Sequence, residues 1–224
     1  MTGEFLKPSA IVDGDHPAVR SFAAEHSGGS DARGRAVALY YAVRDGFRYD
    51  PYALDLTPQG VSASRVLALG HGWCVTKAVL LAAACRALGI PARLGYADVR
   101  NHLSTERMRR TMRTDVFYWH GYTAILLDGR WVKATPAFNL SLCEKFRLQP
   151  LEFDGREDSI YHPFDLAGNR HMEYLNFRGE FADVPLDEMR ATFARHYGEV
   201  AQPETASFEL DVARETARPS TNGQ

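Results

Sequence analysis

The chain has 224 residues, 45% of them hydrophobic and 24% charged, which is ordinary globular composition with enough apolar material for one sizeable core. A formal net charge of −2 gives no electrostatic reason to expect nucleic acid or an anionic membrane surface as a partner. Three cysteines, Cys74, Cys85 and Cys143, without CxxC spacing speak against both a disulfide framework and a zinc ribbon. The opening stretch "MTGEFLKPSAIV" lacks a signal-peptide pattern. The longest unbroken apolar run, Ala78 to Cys85, is far short of the ~20 residues that span a bilayer. The expectation is a cytoplasmic protein with no membrane partner and an oligomeric state left open.

The first half reads as helices. "DGDHPAVRSFAAEHSGG" offers Asp15 as N-cap, Pro17 in the first turn and Gly28 as a stop. In "SDARGRAVALYYAVRDGFRYD", Ala36, Leu39, Tyr40 and Val43 form an apolar stripe that ends at Gly46. A proline-containing loop leads to a short helix over 62–69, stopped by Gly70. From Cys74 to Leu88 the residues are apolar nearly all round, the pattern of a helix enclosed on most sides, with Gly89 and Pro91 to end it. The second half turns to strands. "ARLGYADV" is a first strand and "STERMRRTMRT" a short basic helix. "DVFYWHGYTAILL-DG-RWVKATPA" is two β-rich runs joined at Asp128-Gly129 in a tight hairpin. Residues 150–182 hold short β-like pieces, and "DVPLDEMRATFARHYG" is a last amphipathic helix. The reading is one α+β domain over 1–198, with its core at about 36–139, and a polar, partly disordered tail over 199–224.

Cys74 stands at the first turn of the central helix. Unpaired amide N–H groups and the positive end of the helix dipole favour a thiolate there, and a nearby histidinium lowers its pKa further. Gly70 and Gly72 let the backbone turn sharply in front of it. Cys85, about three turns deeper on the same helix, is packing. A thiol nucleophile needs a proton acceptor. Of eight histidines, His120 has the best address, mid-strand in the hairpin, where a rigid sheet presents it to a helix terminus.

"GWCVTKA" followed by "CRALGIPARLGY" resembles the core of transglutaminase-like proteins, and so does the succession of a strand His (His120), a hairpin (Asp128-Gly129) and Trp131. The resemblance covers roughly 36–139. It implies a papain/transglutaminase-like fold, with the central nucleophile helix packed on an antiparallel β-sheet. It also implies a Cys-His-Asp triad for acyl transfer on peptide or protein amides, by hydrolysis or transamidation. Here the sequence departs: "WVKATP" puts Thr135 where the family carries its acid. A threonine hydroxyl can orient an imidazole but cannot stabilise imidazolium by charge.

Continuing the hairpin pairing sets His120 opposite Ala137, so that Thr135, Ala137 and Asn139 share its face; Asn139 is the alternative third member. Asp154 and Asp165 belong to an acidic loop that is better read as solvated. Trp73, Tyr118 and Tyr122 are candidate substrate-binding residues, and Trp119 points to the core. The arginines of "RNHLSTERMRRTMRT" fit an exposed charged helix better than a gate for an acidic substrate. A metal site from Cys74, His120 and another histidine lacks a close-spaced ligand pair, so neither metal nor cofactor is expected. The rival to an enzyme is a peptide-binding module on the same fold, and Thr135 is its support.

Overall fold

The computed structural model describes residues 2–101, 104–160, 168, 171–198 and 207–217. Helix α1 (Pro17–Glu25) starts on Pro17, and the His16 side chain, one residue beyond the expected Asp15, accepts the Ala18 N–H at 3.2 Å. Asp31 caps α2 (Ala32–Gly46) by accepting the Gly34 N–H at 2.7 Å. Ser62 caps α3 (Ala63–Leu69), which ends on Gly70 at a φ of 72°. Two short parallel strands, β1 (Arg48–Tyr49) and β2 (His71–Gly72), draw Tyr49 up to the turn that precedes the central helix.

That helix is α4 (Cys74–Ala87), and every residue from Cys74 to Arg86 is buried. Helices α1, α2 and α3 pack on it from one side. On the other lie β3 (Ala92–Asn101) and β4 (Val116–Leu127). Burying each Val or Leu of this helix contributes about 1.5–3 kcal/mol, so α4 is the largest apolar investment in the fold. Two charged residues on it are buried as well. Lys77 Nζ donates to the carbonyls of Arg44 (2.8 Å) and Phe47 (2.6 Å) at the end of α2. Arg86 donates to the carbonyls of Ala92 (2.9 Å), Lys7 (2.8 Å) and Ala182 (2.6 Å).

Strands β5 (Arg130–Ala134) and β6 (Met172–Phe181) complete an antiparallel sheet of order β5-β4-β3-β6. Asp128 (φ 47°) and Gly129 (φ 79°) form the hairpin turn, and Leu127 pairs with Arg130 as expected. Helix α7 (Leu186–Tyr197) packs on β4 and on α5 (Glu106–Met112), and α6 (Leu140–Phe146) follows β5 in the chain. Within the segment expected to be a polar tail, α8 (Phe208–Thr216) buries Phe208 and Val212, one turn apart. Phe208 packs edge-on against Tyr49 and Tyr52, and Asp211 accepts from the Tyr52 hydroxyl at 2.9 Å and from Arg107 at 2.7 Å. The architecture is α+β, with α4 on a four-stranded antiparallel sheet, the papain/transglutaminase-like arrangement. Among the described residues no helix is long and apolar enough to cross a membrane.

Candidate active site

The turn before α4 has no spare volume. A Cβ on Gly72 would lie 2.5 Å from Thr76 Oγ1, which accepts the Trp73 N–H at 3.0 Å and closes the first helical turn. Cys74 follows as the first helical residue, 7% exposed. Strand β4 reaches this turn at Gly121, where a Cβ would lie 2.9 Å from Val75 Cα and 3.2 Å from the Cys74 carbonyl. Only glycine lets strand and helix approach so closely. Its backbone N–H faces the Cys74 sulfur, as do those of Val75 and of Cys74 itself. The residue before it is His120, buried and paired with Ala97 of β3. The structure therefore brings the backbone of His120 to within one residue of the Cys74 turn.

Burial decides the charge states. It pushes the Cys74 thiol up to about 11 against the opposing pull of the three N–H groups. This corrects the expectation of a depressed thiol: the helix terminus does act, but desolvation outweighs it. His120 is brought down to about 4, first by burial and then by His171. At neutral pH the site holds a neutral thiol and a neutral imidazole. Burial likewise raises Cys85 to about 12 and Cys143 to about 11. His171 is buried immediately before β6, its ring 6.3 Å from that of Phe138. No spacing pattern singled it out among the histidines, because its nearness to His120 arises only in the fold.

Thr135 is 1% exposed. Its N–H donates to the Ser159 carbonyl at 3.1 Å and its carbonyl accepts from the Tyr40 hydroxyl at 3.3 Å. Its own Oγ1 is buried with no hydrogen-bond partner among the described residues. The β4–β5 ladder ends at Thr123–Ala134, so the alternation that was to carry on to Asn139 stops one residue before Thr135. Asn139 instead precedes α6. Its Oδ1 accepts the Tyr49 N–H at 2.9 Å and its Nδ2 donates to Ser141 at 2.8 Å, which engages both ends of the amide. Asp154 is exposed and caps a turn through the N–H groups of Arg156 and Glu157, while Asp165 lies outside the described residues.

The aromatic residues expected at a substrate surface are mostly enclosed. Trp73 is 5% exposed, packed 6.1 Å from the Phe193 ring of α7, and Tyr122 is 2% exposed over Gly95, its hydroxyl on Glu180 at 3.2 Å. Neither offers open surface, because each fills a packing space. Tyr118 is half-buried, stacked on His196 at 4.1 Å, with its N–H donated to the Tyr197 hydroxyl at 2.7 Å. In the basic segment, Arg107 pairs with Asp211 of α8 and Arg110 with Glu106. Among the described residues no three His, Cys, Asp or Glu side chains are placed to hold a metal ion.

Just before His120 the sheet is irregular. Between the pairs Ala97–His120 and Val99–Phe117, two residues of β4, Tyr118 and Trp119, oppose the single Asp98 of β3. Trp119 takes a φ of 62°, a conformation that costs a bulky residue about 1–3 kcal/mol. Asp98, 6% exposed, accepts the Trp119 N–H at 3.2 Å, Arg178 Nε at 2.5 Å and Asn176 Nδ2 at 3.4 Å. The Arg178 guanidinium lies 4.4 Å from the centre of the Trp119 ring.

The sequence profile of the transglutaminase-like superfamily matches residues 20–136. A search of curated proteins finds no match. Among solved structures, one described as a candidate cysteine protease from Cytophaga hutchinsonii aligns at 23% identity with a TM-score of 0.43, covering 59% of this chain and 40% of that one. Another, described as a candidate protease from Parabacteroides distasonis, aligns at 15% identity with a TM-score of 0.37, covering 56% and 26%. The chain thus spans well under half the length of either structure.

Proposed function

The chain belongs to the transglutaminase-like superfamily, and from that premise we propose that it is a thiol-dependent acyl transferase or hydrolase of peptide-like amides, with Cys74 as nucleophile and His120 as its proton acceptor. The observation that carries the reading is the contact of Gly121, next to His120, with the first turn of α4, where its N–H faces the Cys74 sulfur. A pKa lowered to about 4 leaves the His120 imidazole neutral and free to take a proton at neutral pH, though as a weaker base than one whose pKa lies near the working pH. The proton passes from Cys74 Sγ to His120 as sulfur attacks the amide carbonyl, and the backbone N–H of Cys74 supports the developing oxyanion. His120 then returns the proton to the departing amine. The resulting thioester is resolved by water or by a primary amine.

Thr135 fits this neutral pair. Position 135 carries a hydroxyl and so supplies no charge to sustain an imidazolium, and that hydroxyl, buried with no hydrogen-bond partner among the described residues, is available to orient the ring. Asn139, with both ends of its amide engaged, is the weaker candidate. The same Thr135 also favours a second reading, a cleft that binds peptide without turning it over.

Purified protein challenged with a library of peptide amides, with and without a primary amine, separates the two. Turnover that vanishes in Cys74→Ala and falls at least a hundredfold in His120→Ala is the expected result. Peptide retention without turnover in the wild type would leave the binding module. Iodoacetamide mapping adds an internal check: Cys74 is the site labelled first, ahead of Cys85 and Cys143.

A further inference from the structure

We infer that Asp98, together with Arg178, is a positioning residue for His120, acting through the backbone of Trp119; the inference rests on the thiol–imidazole reading above. Two contacts bracket the histidine. On its C-terminal side Gly121 lies against the first turn of α4, and the hairpin fixes the register from Leu127–Arg130 inward. On its N-terminal side the strand carries an extra residue, and the Trp119 N–H ends on the Asp98 carboxylate at 3.2 Å. The left-handed conformation of Trp119 is unfavourable in itself and persists because its surroundings hold it. Asp98 takes the amide from one side, and Arg178 covers the indole at 4.4 Å while bonded to the same carboxylate. The other bulge residue, Tyr118, is held from α7, its N–H on the Tyr197 hydroxyl at 2.7 Å. What the clamp holds is Trp119, the residue next to His120, and loss of the clamp frees Trp119 to relax toward a regular strand. The direction in which His120 leaves the strand would then no longer be fixed from that end.

Asp98 does not act on His120 through charge. Its carboxylate is matched by Arg178, and the side chain that bears electrostatically on the imidazole is His171. The groups that face Asp98 are Arg178 and Asn176 of β6, the Trp119 amide of β4 and, farther off, Tyr197 of α7. Those that bear on the thiol–imidazole site are His171, Tyr49, Tyr96, Tyr197 and the Cys74 turn itself, so that Tyr197 faces both. A buried carboxylate held by one backbone amide, one guanidinium and, more distantly, the Asn176 side chain is a demanding way to fill a bulge, and it serves to fix the histidine backbone.

The test is the rate of Cys74 alkylation by iodoacetamide from pH 5 to 9, read by peptide mass mapping on the full chain. It compares wild type, Asp98→Ala, Asp98→Asn, His120→Ala and the Asp98→Ala/His120→Ala double variant. Asp98→Ala is expected to lower the neutral-pH rate about tenfold, the scale of a displaced catalytic group. The double variant should be no slower than His120→Ala alone, since both changes remove one function. Asp98→Asn keeps an oxygen for the Trp119 amide and should recover to within about threefold of wild type. A merely structural role would shift the unfolding midpoint yet leave labelling of the folded protein unchanged, or lower it additively with His120→Ala, and either result overturns the inference. Should Asp98→Ala not fold, Arg178→Gln in both His120 backgrounds applies the same criterion from the exposed side of the clamp. If His120→Ala itself labels at the wild-type rate, the thiol–imidazole reading fails and this inference falls with it, a pattern distinct from failure of Asp98 alone.

Discussion

The two ends of α4 carry a cysteine each, and they are built on opposite rules. At the far end Cys85 sits in apolar surroundings, and Arg86 beside it satisfies three carbonyls, from Ala92, Lys7 and Ala182. At the near end the Trp73 indole N–H is buried with no hydrogen-bond partner among the described residues, and the Cys74 sulfur faces three backbone N–H groups. Yet burial raises both thiols, to about 11 and about 12. The resting pKa therefore does not by itself distinguish the proposed nucleophile from a packing cysteine. What separates them is whether the surroundings are ready for charge that appears during reaction.

The largest effect should come from the far end. Arg86→Met strips the buried Ala92 carbonyl and the part-buried Lys7 and Ala182 carbonyls of a charged donor and is expected to cost about 3–5 kcal/mol in urea unfolding, with Cys74 labelling of the folded protein unchanged. Altered labelling would mean that the two ends are not independent.

Next comes acid. The unfolded chain protonates His120 near its ordinary value of about 6.5, whereas the folded chain resists until about 4. Stability present at pH 7 should therefore be lost between those values, by about 3 kcal/mol from this group, with no further loss from it below pH 4. In His120→Asn that part of the slope should disappear from urea midpoints taken across pH 4–8.

Thr135→Asp should have a smaller effect, confined to the near end. A carboxylate beside the imidazole raises the His120 pKa and, through the imidazolium, lowers that of Cys74. Labelling at pH 6 should quicken about tenfold at Cys74 and not at Cys85, a difference of about 1.4 kcal/mol. No change would place Thr135 out of reach of the ring. Smallest of all, Cys85→Ala should cost about 1 kcal/mol and leave turnover as it was.

Elements that declare themselves by local chemistry were legible in the sequence. The all-round apolar run and its Gly89 stop gave α4, Asp128-Gly129 gave the hairpin, and the glycine-flanked cysteine with a strand histidine gave the candidate pair. What escaped depends on partners distant in the chain. Lys77 lies inside a run that reads as apolar, and only the end of α2 explains its burial. Strand β6 is an edge, with Leu175 and Phe177 exposed, so its pattern lacks the alternation of a half-buried strand. The α8 helix has just two buried apolar positions, too few to stand out from a polar tail. Asp98 looks like any strand aspartate until the register slips beside it, and the bulge breaks the period that was used to place side chains around His120.

Gly121 limits how this chain can change over time. A single methyl group there would collide with the backbone of α4, not with a side chain able to swing aside. The position is closed to one-step substitution, and relief would require a simultaneous shift of the helix that begins at Cys74. Descendants of this sequence inherit the spacing between strand and helix as a unit. Where it is lost, the thiol and the histidine lose their common reference together.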